Sequence, residues 1–140
     1  MHVLFIEDDP RDVELVRVAL ARSAVPTELV AVPDEAGAVA FLLRRGEHAG
    51  RPPELPAVIF LDLRLEGARG SELIATIRSQ DGLAWVPVVM LTASADPADI
   101  AECYRRGANA YMVKPIDLSE FAENFARALR FWTQINQHVR

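Results

Sequence analysis

The stretch Val58-Ile59-Phe60-Leu61-Asp62 constrains this chain more than any other. Pro52, Pro53 and Pro56 precede it, and Leu63, Arg64, Gly67 and Gly70 follow. A short apolar run bounded by turn formers predicts a strand buried on both faces, as in parallel sheets covered by helices. Val3 to Ile6, Val86 to Leu91 and Ala110 to Val113 read the same way, and Thr27 to Val32 alternates weakly as a further strand. Helical spacing fills the intervals. Val13, Val16 and Leu20 follow Pro10, and Asp34 opens a helix with an apolar stripe of Ala36, Val39, Ala40 and Leu43. Gly46 to Pro56 is a loop. Leu73, Ile74 and Ile77 mark a third helix, and Asp96-Pro97 starts a fourth that Gly107 closes. A last helix runs from Leu118 to about Gln137, with Leu118, Phe121, Phe125, Leu129, Trp132 and Ile135 on one stripe. The expected fold is α/β, a (βα)5 doubly wound five-stranded parallel sheet with helices on both faces and right-handed crossovers.

Bulk properties narrow the function. With 140 residues, 51% hydrophobic and 25% charged, residues 1–140 are expected to form one domain. The apolar runs are far too short to span a bilayer, and the N-terminus reaches acid at Glu7 without a basic segment, so a cytoplasmic protein with no membrane partner is expected. A net charge of −5 with scattered basic residues argues against direct nucleic-acid binding. The lone Cys103 has no metal-ligand spacing around it and reads as a small buried filler, whereas His2, His48 and His138 read as surface. Among the 15 basic residues Lys114 is the only lysine.

In a parallel sheet all carboxyl ends share one edge, where ligands of open α/β folds bind. Four of the predicted strands end there in polar residues: Glu7-Asp8-Asp9, Asp62, Thr92 and Lys114. Each has a plain reading alone, since Asp62 can cap a following segment and Thr92 can be a strand-end hydroxyl. Together they form a different object. Clustered carboxylates repel unless a cation offsets them, and oxygen ligands suit Mg²⁺, which pairs with phosphate. A lysine can hold a phosphoryl oxygen, a threonine hydroxyl can donate to another, and an aspartate can act as nucleophile to form an acyl phosphate. These are the parts of phosphoryl transfer to Asp62.

On these residues the chain resembles the response-regulator receiver domain across nearly its whole length, which implies the flavodoxin-like receiver fold. The family's acidic pair falls on Glu7 and Asp8, its phosphoacceptor on Asp62, its switch hydroxyl on Thr92, its lysine on Lys114 and its switch aromatic on Tyr111. Pro115, after the lysine, is cis in the family. The resemblance implies Mg²⁺ bound directly by Asp8, Asp62 and the main-chain carbonyl of Arg64, with Glu7 acting through water. It also implies a sensor histidine kinase as phosphodonor, with Thr92 and Tyr111 remodelling the face made by the fourth helix, fifth strand and fifth helix. Arg64 and Glu66 depart from the common pattern.

No effector segment is expected after the fifth helix, so output is expected through association. The opening Glu7 to Val13 and the segment from Arg130 onward are similar to the small regulators that accompany bacterial phytochrome kinases and form homodimers. Phe131, off the apolar stripe, and Trp132 are the expected interface residues. Two rival readings share parts of this set. A haloacid-dehalogenase-type phosphatase needs a second acid two residues after its nucleophile, where Arg64 stands. A phosphorylation-independent receiver-fold interaction module has no need of the full set Glu7, Asp8, Asp62, Thr92 and Lys114.

Overall fold

The computed structural model describes residues 1–139. Five strands form the main sheet: β1 (His2–Ile6), β2 (Glu28–Val32), β3 (Ile59–Leu61), β4 (Val88–Thr92) and β5 (Ala110–Val113). Their order is β2-β1-β3-β4-β5 and every pairing is parallel. Five α-helices alternate with them: α1 (Pro10–Ser23), α2 (Glu35–Leu42), α3 (Gly70–Ser79), α4 (Pro97–Arg106) and α5 (Leu118–Arg130). The expected architecture is present. No helix among the described residues is long and apolar enough to cross a membrane.

Burial on both faces follows from the two-residue period of a strand. Leu4 and Ile6 of β1, Ile59 and Leu61 of β3, and Val88 and Met90 of β4 enter one core with Phe41, Ile74, Ile77 and Cys103 from α2, α3 and α4. Val3, Phe5, Phe60, Val89 and Leu91 enter the other with Val16, Phe121, Phe125 and Leu129 from α1 and α5. Burying a side chain such as Phe60 contributes about 1.5–3 kcal/mol. The rigid register matters for function. Phe5 lies beside Phe60 and Phe60 beside Val89, so the strand ends that follow reach one edge together.

Local signals set the helix ends. Asp9, Asp34, Asp96 and Asp117 each accept a backbone N–H as N-caps, and Pro10 and Pro97 occupy the tolerated first turn. Gly107 closes α4 at φ 113°, a conformation that penalises a Cβ.

Several expectations need correction. The buried side of α2 is Ala38, Phe41 and Leu42, while Ala36 is exposed; that segment is apolar almost throughout, so its pattern carried no phase. The last α-helix stops at Arg130 and continues as a wider π-turn over Phe131–Ile135. Leu118 and Ile135 are exposed because they lie at the two ends of that run, beyond the sheet, and Trp132 is half-buried. The strand predicted from Val86 begins at Val88, since Pro87 has no N–H to donate, although its carbonyl accepts from Ile59. His2 and His48 pack edge-on against Phe41, and a ring nitrogen of His138 meets the carbonyl of Ala57, so none is plain surface. The Lys114–Pro115 bond is trans, not cis, as are all peptide bonds among the described residues. Trans is intrinsically favoured by about 0.5–1 kcal/mol, and the following Ile116 is fully exposed and makes no packing demand on the other isomer.

Candidate functional site

The three consecutive acids after β1 do three different things. Glu7 is 3% exposed, and its amide donates to the Val32 carbonyl, which extends the sheet by one rung. Asp8 turns to the loop after β3, where its Oδ2 accepts the Glu66 N–H at 2.6 Å. Asp9 caps α1 and takes both the amide and the guanidinium of Arg11, which hold its carboxyl below the usual range.

Asp62 emerges from β3 with its carboxylate facing two ways. Oδ1 accepts the Arg64 N–H at 3.2 Å, and Oδ2 lies 3.5 Å from the Nζ of Lys114. The loop beyond forms a two-residue antiparallel hairpin, Arg64–Leu65 against Ala68–Arg69, which the sequence reading had as plain loop. It closes on Gly70, whose N–H donates to Leu63 at 2.6 Å; a Cβ there would collide with the Asp62 carbonyl oxygen. Glycine is required at that approach. Arg64 and Glu66 both point their exposed side chains to solvent at the mouth.

Lys114 is anchored through its backbone and its head group. Its N–H donates to the Thr92 carbonyl at 2.7 Å, and its Nζ stands 3.4 Å from Asp12 Oδ2 as well as 3.5 Å from Asp62 Oδ2. Thr92 is 4% exposed at the end of β4, and its Oγ1 meets the Ser94 N–H. Tyr111 is half-buried, and its hydroxyl donates to the Ser94 carbonyl at 3.0 Å. Ser94 Oγ in turn donates to Asp99, which pairs with Arg69 of the hairpin. The hairpin after β3 and the loop after β4 are therefore tied at α4.

Of the residues singled out in the sequence, the fold brings Glu7, Asp62, Thr92 and Lys114 to one edge, with Tyr111 behind them. It adds Asp12. One oxygen each from Glu7, Asp12 and Asp62 lie within 4.8 Å of one another, whereas the carboxylate of Asp8 is outside that group. Asp12, Ser94, Asp99 and Arg69 were not predicted. Asp12 carried a weak signal, an acid in the first turn of α1 when Asp9 already serves as cap.

The electrostatics fit a cation. Burial, the hydrogen bond to Asp12 and the charge of Asp62 push the Glu7 carboxyl up to about 9, with Lys114 opposing. Glu7 Oε2 is buried without a hydrogen-bond partner among the described residues. An oxygen-only donor set around an orphaned buried oxygen suits a hard divalent ion.

Phe131 is 44% exposed and meets Trp132 edge-on. Both line a groove of about 540 Å³ between the outer edge of β5 and α5, with Met112, Val113 and Ala128.

The family model of the response regulator receiver domain matches residues 3–126, and the chain belongs to that family of two-component signalling proteins. The response regulator Rcp1 of Synechocystis sp. is 33% identical over 132 residues, covering 94% of this chain and 88% of Rcp1. The crystal structure of the phosphorylated cyanobacterial phytochrome response regulator RcpA superposes with a TM-score of 0.89 at 34% identity, over 99% of this chain and 98% of RcpA. The Mn²⁺-bound form of Rcp1 superposes with a TM-score of 0.86 at 31% identity, over 99% of each chain. The chain is thus similar to a cyanobacterial phytochrome response regulator and to the response regulator Rcp1, which is seen with a divalent ion.

Proposed function

We propose that this protein accepts a phosphoryl group on Asp62 from a sensor histidine kinase of the phytochrome type, in a Mg²⁺-dependent reaction, and signals through a changed protein-interaction surface. One observation carries the reading: Lys114 Nζ stands 3.5 Å from Asp62 Oδ2 beside a cluster of carboxylate oxygens with an orphaned member. In the step itself an Asp62 oxygen forms a bond to phosphorus while the phosphorus–nitrogen bond of a phosphohistidine breaks. The electron pair stays on the departing imidazole nitrogen, and Asp62 becomes an acyl phosphate. Water then hydrolyses the acyl phosphate, releasing inorganic phosphate and restoring the Asp62 carboxylate; the protein is a signalling protein that catalyses only its own phosphorylation and dephosphorylation.

The chain's residues divide the work. Asp8, Asp62, the Arg64 carbonyl and Glu7 are the groups that the family resemblance would assign to holding Mg²⁺. The bound ion supplies positive charge to the phosphoryl oxygens. Lys114, already beside Asp62, takes one phosphoryl oxygen. Thr92 donates its hydroxyl to another, and the loop it pulls carries Ser94, to which the Tyr111 hydroxyl is bonded. Movement at Asp62 therefore reaches Tyr111 and the face of α4, β5 and α5. The two-state element is the loop from Thr92 to Asp96, biased by new charge-assisted contacts. A homodimer seated over Phe131 and Trp132 is the output that the exposed aromatic pair and its apolar groove support. With a net charge of −5, the protein acts on other proteins and not on nucleic acid or membrane.

Intact mass after incubation with acetyl phosphate and Mg²⁺ tests the reading, with size-exclusion chromatography of the same samples. Wild type is expected to gain one phosphoryl mass and change its elution, and Asp62→Asn to do neither. Full labelling of Asp62→Asn refutes the assignment of the nucleophile.

A further inference from the structure

The metal roles carried by the resemblance fall on Glu7, Asp8, Asp62 and Arg64, and leave Asp12 without a part. We infer that Asp12 is a metal-facing carboxylate of this site, and that its exchange of Lys114 for Mg²⁺ frees that ammonium for the phosphoryl group; this rests on the functional reading above.

The argument begins with what Asp12 is not needed for. An acid in the first turn of a helix normally needs no explanation beyond the dipole. Here the cap is already provided by Asp9, and Asp12 turns instead toward the strand ends, 3.4 Å from Lys114 Nζ. The same ammonium is 3.5 Å from Asp62, so the only lysine of the chain is shared almost equally between two carboxylates.

Distance then favours a common cation. Oxygens bound to one Mg²⁺ at about 2.1 Å are about 3 Å apart when adjacent and about 4.2 Å when opposite. One oxygen each from Glu7, Asp12 and Asp62 fall within 4.8 Å of one another, so only small side-chain adjustments separate them from that spacing. Asp8 by contrast is engaged by the Glu66 N–H at 2.6 Å. The burial of one member of the group points the same way. Glu7 is 3% exposed and its Oε2 is buried with no partner among the described residues, a cost that a bound ion or its water shell removes.

Charge supplies the coupling. One ammonium cannot offset two carboxylates, and a divalent ion can. Once the ion neutralises Asp12 and Asp62, Lys114 is released from both and is held at the site by its backbone bond to Thr92. The incoming phosphoryl group then meets an unpaired ammonium rather than one it must detach.

Calorimetric titration with MgCl₂ tests this on the whole protein. Asp12→Asn should bind Mg²⁺ about tenfold more weakly than wild type, the loss expected for removing a group that faces the metal. Asp9→Asn removes an equal charge outside the cluster and should stay within about twofold, because an exposed charge is screened. A second readout uses the single lysine. In protein carrying ¹³C,¹⁵N-lysine the side-chain ε signal belongs to Lys114 alone, and Mg²⁺ should move it. In Asp12→Asn the metal-free signal should already be displaced. Asp12→Asn binding within about twofold of wild type, or an ε signal that Mg²⁺ leaves unmoved, overturns the inference. Wild type that binds no Mg²⁺ overturns both this inference and the functional reading. If wild type binds Mg²⁺, Asp12→Asn loses it and no phosphoryl group is accepted from acetyl phosphate or kinase, the receiver chemistry fails and the role of Asp12 in metal binding stands.

Discussion

Two partly buried cations of this molecule, Arg78 and Lys114, are treated in opposite ways. Arg78, at the end of α3, donates to the carbonyls of Gly107, Leu83, Ala84 and Val86 and to the side-chain oxygen of Asn109, at 2.6–3.3 Å. Asn109 Oδ1 also takes the Val88 N–H, so the guanidinium ties α3, the loop before β4 and the loop before β5 into one knot. Among the described residues Lys114 has no short hydrogen bond from its head group, only two carboxylates at 3.4 and 3.5 Å. A fully satisfied buried polar network stabilises one conformation; a cation held by long contacts is free to change partners. The first region is built to stay and the second to change partners.

That contrast predicts a double dissociation. Asp62→Asn and Lys114→Gln should act on chemistry: labelling is lost in the first and slowed by about 10²-fold or more in the second, because one positive group at the transferring phosphoryl is removed. With Mg²⁺ present, Lys114→Gln should leave the denaturation midpoint within about 1 kcal/mol of wild type, since the ion offsets the carboxylates that the lysine faced. Arg78→Ala should do the reverse. It orphans several carbonyls at once and is expected to cost about 3 kcal/mol in denaturant unfolding, with labelling per folded molecule retained. A lysine variant that unfolds the protein, or an arginine variant that is stable but inert, breaks the comparison.

A pH dependence sharpens it. The Glu7 carboxyl is raised from 4.5 to about 9 in the metal-free fold, first by burial, so the folded state holds a proton that the unfolded chain has released in between. Its contribution to stability is therefore complete below about pH 4.5 and is lost as pH rises toward about 9. Metal-free protein should lose stability across that window, and Mg²⁺ should restore most of it while expelling protons, with calorimetry in buffers of different ionisation enthalpy counting them. Metal-free stability that rises over the same range would mean that Glu7 is charged in the fold. No such dependence is expected at Arg78, which faces carbonyls and an amide oxygen.

Much of the fold was legible because its signals are local. Four apolar residues such as Val58 to Leu61 cannot be satisfied on a surface, and Asp96-Pro97 with Gly107 marks both ends of a helix by backbone chemistry alone. Phase was lost where composition was uniform, as in α2, and at chain segments that project past the sheet, as at Leu118 and Ile135. The trans bond before Pro115 was missed because it was carried over from the family pattern and not read from the residues around it.

The strand-end residues Glu7, Asp62, Thr92 and Lys114 were legible for the same reason: strand direction is encoded in the alternation of βα units, and it puts every carboxyl end on one edge. What the sequence by itself determined is therefore the sheet, its direction and the residues that terminate its strands. Tertiary structure alone decided which of the acids face one another. Asp8 and Asp12 are the same residue type and both close to Glu7 in the chain, yet Asp8 turns to the hairpin and Asp12 to Lys114. The choice depends on where α1 docks and where the loop after β3 folds back, and both are set by packing against residues tens of positions away, which no local pattern encodes.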